Sequence, residues 1–236
     1  MTAKQEYICF LNDNFGFRQL RKPLFYCSEF GLRLNLQTGD TFDSTRQSLD
    51  RNGEIIPLIG DTNTEEYFEE GIRRLMDLFE FVFDAGDNIF FVLNDYKYRK
   101  SRIKLFNYAF KQIENLKKEE ISYFKTKELY YLNDKSDNWN TGVIKVTTNR
   151  INYRNIFTAI VNSDFLNRQP RLEKKEIFTS KEIYFVNIDK KLIFNTYDDR
   201  GVDIVAAEKE TLRPIYEKYN NWLLDYDRKE MDKLFE

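Results

Sequence analysis

The sequence predicts an α+β fold, with an antiparallel β-meander in the C-terminal half packed by helices and joined to an N-terminal helix and sheet unit. Three observations carry this. "EIYFVNI", "LIFNT" and "GVDIVAA" between residues 182 and 207 read as three strands separated by two tight turns. "TEEYFEEGIRRLMDLFEFVF" (64–83) sets Phe68, Ile72, Leu75, Phe79 and Val82 at helical spacing. "NIFFVLN" (88–94) is apolar almost throughout, as befits a central strand covered on both faces.

The elements follow in order. Thr2 with Gln5 three residues on forms a capping box, and the helix it opens carries Ile8, Leu11 and Phe15 on one face before Gly16. "LFYC" (24–27) and "GLRLNLQ" (31–37) are short strand candidates. The second alternates Leu32, Leu34 and Leu36 against Arg33 and Asn35. Residues 38–63 are rich in Gly, Asp, Ser, Thr and Asn and read mostly as loop, with "IIPLI" as an edge strand that tolerates Pro57. Thr64 caps the long helix, Glu65 and Glu66 suit its positive end, and "DAGD" stops it.

A second helix is expected through "SRIKLFNYAFKQIENL" (101–116), and weaker strands through 117–124 and 127–133. "DKSDNWNTG" (134–142) reads as a polar loop. The chain is therefore expected to be one continuous domain, 1–236, with 1–134 and 142–236 as its candidate halves. "GVIKVTT" is a strand, 152–165 a helix, and 208–222 a helix in which Pro214 marks a kink or a later start. "DRKEMDKLF" closes the chain as a short helix.

Composition removes several functions. A hydrophobic content of 42% with 16% aromatic residues supports a folded interior, and a net charge of −2 gives no case for nucleic acid. Histidine is absent, which excludes Ser-His and Cys-His nucleophiles and the commonest neutral metal ligand. Cys9 and Cys27 form no CxxC or zinc spacing and are expected to be reduced and buried. No Walker, GxGxxG, HExxH or GxSxG motif occurs, so no cofactor, metal site or catalytic residue is assigned. The N-terminus lacks a signal-peptide core, and no window nears the roughly 20 apolar residues of a membrane span, so a cytoplasmic protein without a membrane partner is expected.

What chemistry remains lies in "YDDRG" (197–201) and "LDYDR" (224–228). Asp198 suits the first position of a type I turn, and Gly201 the left-handed position of a bulged hairpin. Asp227 with Glu230 resembles a capping box for the last helix. The residues not absorbed by local structure suggest a clamp in which Arg200 pairs Asp225 and Arg228 pairs Asp198 or Asp199. The alternative is an open site: Asp198, Asp199, Asp225 and Asp227 holding a divalent cation in a metal-dependent nuclease or phosphoesterase, with Arg200 or Arg228 on phosphate. A further candidate surface is the basic segment 97–127 with the Tyr96 that precedes it: Tyr96, Lys97, Tyr98, Arg99, Lys100, Arg102 and Lys104 interleave aromatics with cations. It could serve an RNA-binding or regulatory module, or cover its neighbours as a solvated face.

Tyr197–Gly201, "VDIVAA", "YNNW" (219–222) and Leu224–Arg228 together resemble a bacterial family known only as a domain of unknown function. "FLNDNFG", "PLFY" and "GLRLNL" resemble its opening, although "LRLNL" lacks the acidic residue expected after the arginine strand. The resemblance associates the chain with immunity proteins that neutralise polymorphic toxins. It implies a non-catalytic cytoplasmic protein-binding module whose partner is a cognate toxin, and it supplies no catalytic residues.

Overall fold

The first helix is set by its own ends. In α1 (Ala3–Phe15) the Thr2 hydroxyl accepts the Gln5 amide at 3.3 Å, and the Gln5 side chain accepts the Thr2 amide at 2.9 Å. Gly16, at φ 73°, turns the chain out in the left-handed conformation that glycine takes without strain. Tyr7 and Leu11 carry the buried face, and Cys9 falls on the outer side. Cys27 is exposed as well, so the expectation of two buried cysteines is corrected.

The computed structural model describes residues 1–37, 64–96, 103–131, 133–134, 136–173 and 180–236, with the backbone of two short strands, β2 (Gln47–Leu49) and β3 (Ile55–Pro57). These two pair with each other, Gln47 opposite Pro57; the rest of the expected 38–63 loop lies outside the described residues.

Seven strands form the main sheet: β1 (Phe30–Asn35), β4 (Asn88–Tyr96), β5 (Ile121–Lys127), β6 (Asn138–Thr147), β7 (Lys181–Asn187), β8 (Leu192–Thr196) and β9 (Gly201–Ala206). Their order is β1-β9-β8-β7-β4-β6-β5, every pair antiparallel. The meander β7-β8-β9 stands as predicted, and β4 is internal, flanked by β6 and β7. Strands from both halves of the chain thus share one hydrogen-bonded sheet.

Helices cover both faces. On one, Leu32, Phe91, Phe185, Phe194 and Ile204 pack beneath α2 (Glu65–Val82) and α3 (Tyr153–Val161). Phe79 of α2 stacks on Phe83 at 4.2 Å and meets Phe157, Phe185 and Phe194 edge-on. The edge-to-face geometry places positive ring edges on negative ring faces and adds to the area buried. On the other face Phe90, Val92, Tyr184, Val186, Ile193 and Val205 pack against α1, Leu20, Leu24 and Leu129. After the meander come α4 (Lys209–Lys218), which runs through Pro214, and α5 (Arg228–Asp232).

Four local expectations are corrected. "LFYC" makes a 3-10 turn, Phe25–Cys27, because its backbone is bonded locally and the Phe25 amide donates to Asp203 at 3.1 Å. Residues 103–116 form no α-helix; Asn107 caps the Phe110 amide at 3.0 Å, and a 3-10 turn, Phe110–Gln112, drops Phe110 onto the sheet. The expected strand over 127–133 stops at Lys127, the chain reversing through positive φ at Glu128. The expected polar loop 134–142 gives its second half to β6. Thr141 donates to Asn94 at 2.7 Å and contacts Thr126 at 2.6 Å, so these polar residues enter the sheet fully bonded.

Candidate functional site

The turn between β8 and β9 is fastened by its own side chains. Asp198 accepts the Arg200 amide at 2.8 Å and the Arg200 Nε at 2.9 Å, and Arg200 Nη2 adds a third bond. The Arg200 side chain is 70% exposed. Asp199 turns the other way, 7% exposed, and accepts the Tyr67 hydroxyl from α2. Burial raises the Asp199 pKa above the ordinary carboxylate value, against the lowering effect of the Tyr67 bond. Gly201 is not left-handed, contrary to the expected bulge. It is glycine because Tyr197 folds across it: an added Cβ would meet the Tyr197 hydroxyl at 1.9 Å and Cζ at 2.5 Å.

The C-terminal motif divides differently from the expected crossed clamp. Asp225 is exposed and faces Arg228 at 3.5 Å; Arg228 donates to the Asn220 side chain at 2.9 Å and its carbonyl at 2.6 Å. Arg200 and Arg228 therefore each pair locally. Asp227 makes no cap bond to α5. It is buried and accepts from Tyr26 at 2.6 Å and from Arg33 at 3.1 Å.

Arg33 is the hub. From β1 its Nε reaches Asp203 of β9 at 3.1 Å, the residue directly opposite in register, and its Nη1 reaches Asp227. Burial opposes the guanidinium charge, but the Asp203 carboxylate leads the interactions that hold its proton more tightly than usual. Burial likewise raises the Asp203 pKa, with Arg33 pulling it back. The Arg33 main chain is also occupied: its amide points to the Met231 sulfur at 3.1 Å, and its carbonyl accepts the Leu224 amide at 2.8 Å. With the Leu34–Leu223 bridge, the C-terminal segment covers the outer edge of β1.

A second buried pair lies on the same sheet face. Lys22 and Glu182 form an ion pair, and the Tyr130 hydroxyl donates to Glu182 at 2.6 Å. Tyr197 lies between the two clusters, its ring 5.8 Å from Lys22 Nζ and 5.5 Å from Arg33 Cζ. Arg33 is shared by two carboxylates, Asp203 and Asp227, and Lys22 faces Glu182, so the charged residues of these two clusters contact one another. Among the described residues no group of three or more His, Cys, Asp or Glu is placed to hold a metal ion. A polar groove of about 420 Å³ beside Lys111, Glu114 and Arg150 shares no residue with either cluster.

Sequence reasoning singled out Asp227 and missed Arg33, Asp203, Tyr26, Lys22 and Glu182. Asp203 did leave a signal, as the one charged residue in the otherwise apolar "GVDIVA". Of the basic surface, Tyr96 packs edge-on to Trp139 at 5.2 Å and Lys104 is exposed; Lys97, Tyr98, Arg99, Lys100 and Arg102 lie outside the described residues.

No helix among the described residues is long and apolar enough to cross a membrane. No solved structure matches the chain. "Uncharacterized protein YnaE" of Bacillus subtilis (strain 168) is 28% identical over 156 residues, 63% of this chain and 71% of the relative. The family model described as "Domain of unknown function (DUF3885)" matches residues 8–227, a span that holds the seven-stranded sheet, Arg33, Asp203 and Asp227, and the chain belongs to that family.

Proposed function

We propose that the protein is a non-catalytic protein-binding module of the cytoplasm, and that its partner is a cognate bacterial toxin which it inhibits by occlusion. The observation that supports this reading is the closure of its charged residues. Asp198 with Arg200, Asp203 and Asp227 with Arg33, Asp199 with Tyr67, and Glu182 with Lys22 each contact one another. Large aromatics meanwhile stand at the surface: Tyr226 at 86%, Phe106 at 76% and Tyr131 at 67% exposure. Tyrosine and phenylalanine so placed offer rigid, amphipathic contact area, the kind of residue that anchors protein interfaces.

The test is co-expression with the product of a neighbouring toxin gene. The expected result is a stable complex on gel filtration and rescue of growth. A toxin that neither binds the protein nor is neutralised by it would overturn the immunity reading. Magnesium binding by calorimetry, abolished by Asp199→Asn, would overturn the non-catalytic reading in favour of a metal-dependent phosphoesterase.

A further inference from the structure

The two edges of the main sheet differ in what covers them. The C-terminal segment occupies the outer side of β1 through Leu223, Leu224 and Met231. At β5, by contrast, the main chain of Ser122–Thr126 makes no backbone hydrogen bond except to β6 among the described residues. Only at its end does Gln19 reach the Lys127 carbonyl, at 2.6 Å. An edge of this kind presents a row of donors and acceptors that an extended segment can pair with.

Within the strand itself the charged side chains have one sign, although exposed Glu119 stands just before it. Ile121–Lys127 contains no acidic residue, and Lys125 and Lys127 are exposed on one face with Tyr123. On the other face Lys4 stands over the Phe124 ring at 5.1 Å. Lys117 and Lys118 precede the strand, both exposed. The flanking acids include Glu120, engaged with Arg150 at 2.8 Å, and Glu128, facing Arg21 at 4.0 Å. Lysines on an edge strand discourage pairing with neutral or basic strands, and a second copy of this chain would set the same lysines against one another. The charge that complements both faces is negative.

We infer that β5 is a docking edge for an acidic, extended segment of a protein partner, which adds as an eighth strand beside Ile121–Lys127. This deepens the reading of the chain as a protein-binding module and rests on it. Backbone pairing supplies the geometry, and Lys4, Lys125 and Lys127 select the sequence.

The probe is a short peptide alternating glutamate with valine, compared with a copy in which a central valine is replaced by proline and a copy with lysine for glutamate. Calorimetric titration of the full chain is expected to show salt-sensitive binding of the first peptide alone, with slowed amide exchange across Ser122–Thr126. The double variant Lys125→Glu, Lys127→Glu, at exposed positions outside the buried pairs, is expected to weaken that binding about tenfold or more. Equal binding of the proline copy would overturn strand addition, because mere charge attraction does not need an unbroken backbone edge. Failure of the glutamate peptide to bind, or equal binding of the lysine copy, would overturn the inference too. A cognate toxin that binds the double variant as tightly as the native chain would overturn the docking edge and leave the protein-binding reading standing.

Discussion

At the β1 edge the sheet is finished by the chain itself, whereas at the β5 edge lysines stand beside a backbone, Ser122–Thr126, that bonds to β6 alone among the described residues. The first arrangement links three distant parts of the sequence: Arg33 near the start, Asp203 in the meander, and Asp227 near the end. The second needs nothing beyond one strand and its neighbours. A buried polar closure is specific because every partner depends on every other, and it is correspondingly vulnerable to the loss of one member. A lysine-bordered edge tolerates change because its groups are already hydrated.

The largest expected effect is at Arg33. Arg33→Ala leaves Asp203 and Asp227, 1% and 4% exposed, without their cation. Removing one member of a buried ion pair costs about 3–5 kcal/mol, so the denaturant midpoint should fall sharply. Amides of β1 and of residues 223–231 should exchange faster together, since the C-terminal segment is held there. Arg33→Lys should recover only part of the loss, because a single ammonium cannot bridge two carboxylates as the planar fork does. An Arg33→Ala protein of native stability would remove Arg33 from the closure.

Gly201→Ala comes next. The new methyl group overlaps the Tyr197 ring, and overpacking of this kind costs about 1–3 kcal/mol. In a Tyr197→Ala background the same substitution should cost far less, and a double-mutant cycle measures the difference. If the penalty persists without the ring, the requirement for glycine lies in the backbone after all.

These two positions show what was legible in the sequence and what was not. The meander, α1 with its capping box, and α2 with its Thr64 cap are periodic or local patterns, and each formed where the spacing put it. Local chemistry misled at Gly201 and Asp227. Each fits a short-range motif, a bulge and a helix cap, but Gly201 answers instead to the ring of Tyr197 four residues before it, and Asp227 to Arg33, 194 residues away. The Arg33–Asp203 pair follows from strand register, and β1 is hydrogen-bonded to β9 across a sequence separation of 170 residues. No window of sequence contains both. The missing helix at 103–116 has a similar cause: Ala109, Phe110 and Ile113 enter the core one by one rather than as a helical stripe, while Phe106 stays at the surface.

A smaller effect, visible as a slope, is expected at Asp199. Burial raises its folded-state pKa above the unfolded value of about 4. The folded protein therefore holds this proton more tightly, and its stabilising contribution is full below the unfolded pKa and lost as pH rises through the folded one. Asp199→Asn keeps an oxygen for the Tyr67 hydroxyl and abolishes the titration. Its stability relative to the native chain should rise across that window, read from urea midpoints at a series of pH values. Parallel profiles would show that Asp199 titrates alike in both states.

Arg200 is expected to matter less still. Its guanidinium is exposed and bonded to Asp198 two residues away, so Arg200→Ala should cost no more than about 1 kcal/mol, less at high salt. A loss of several kcal/mol would instead restore it to a clamp of the kind the sequence suggested.

The smallest effect belongs to the open edge. Lys125→Glu with Lys127→Glu should change stability by no more than about 0.5 kcal/mol, because both side chains are exposed and neither has a carboxylate partner among the described residues. The same double variant is expected to lose the acidic peptide. Together with Arg33→Ala it forms a paired experiment on one sheet: one edge changes stability, and the other changes binding at nearly constant stability. If the lysine variant unfolds as readily as the Arg33 variant, β5 is a structural margin like β1, and the difference between the two edges disappears.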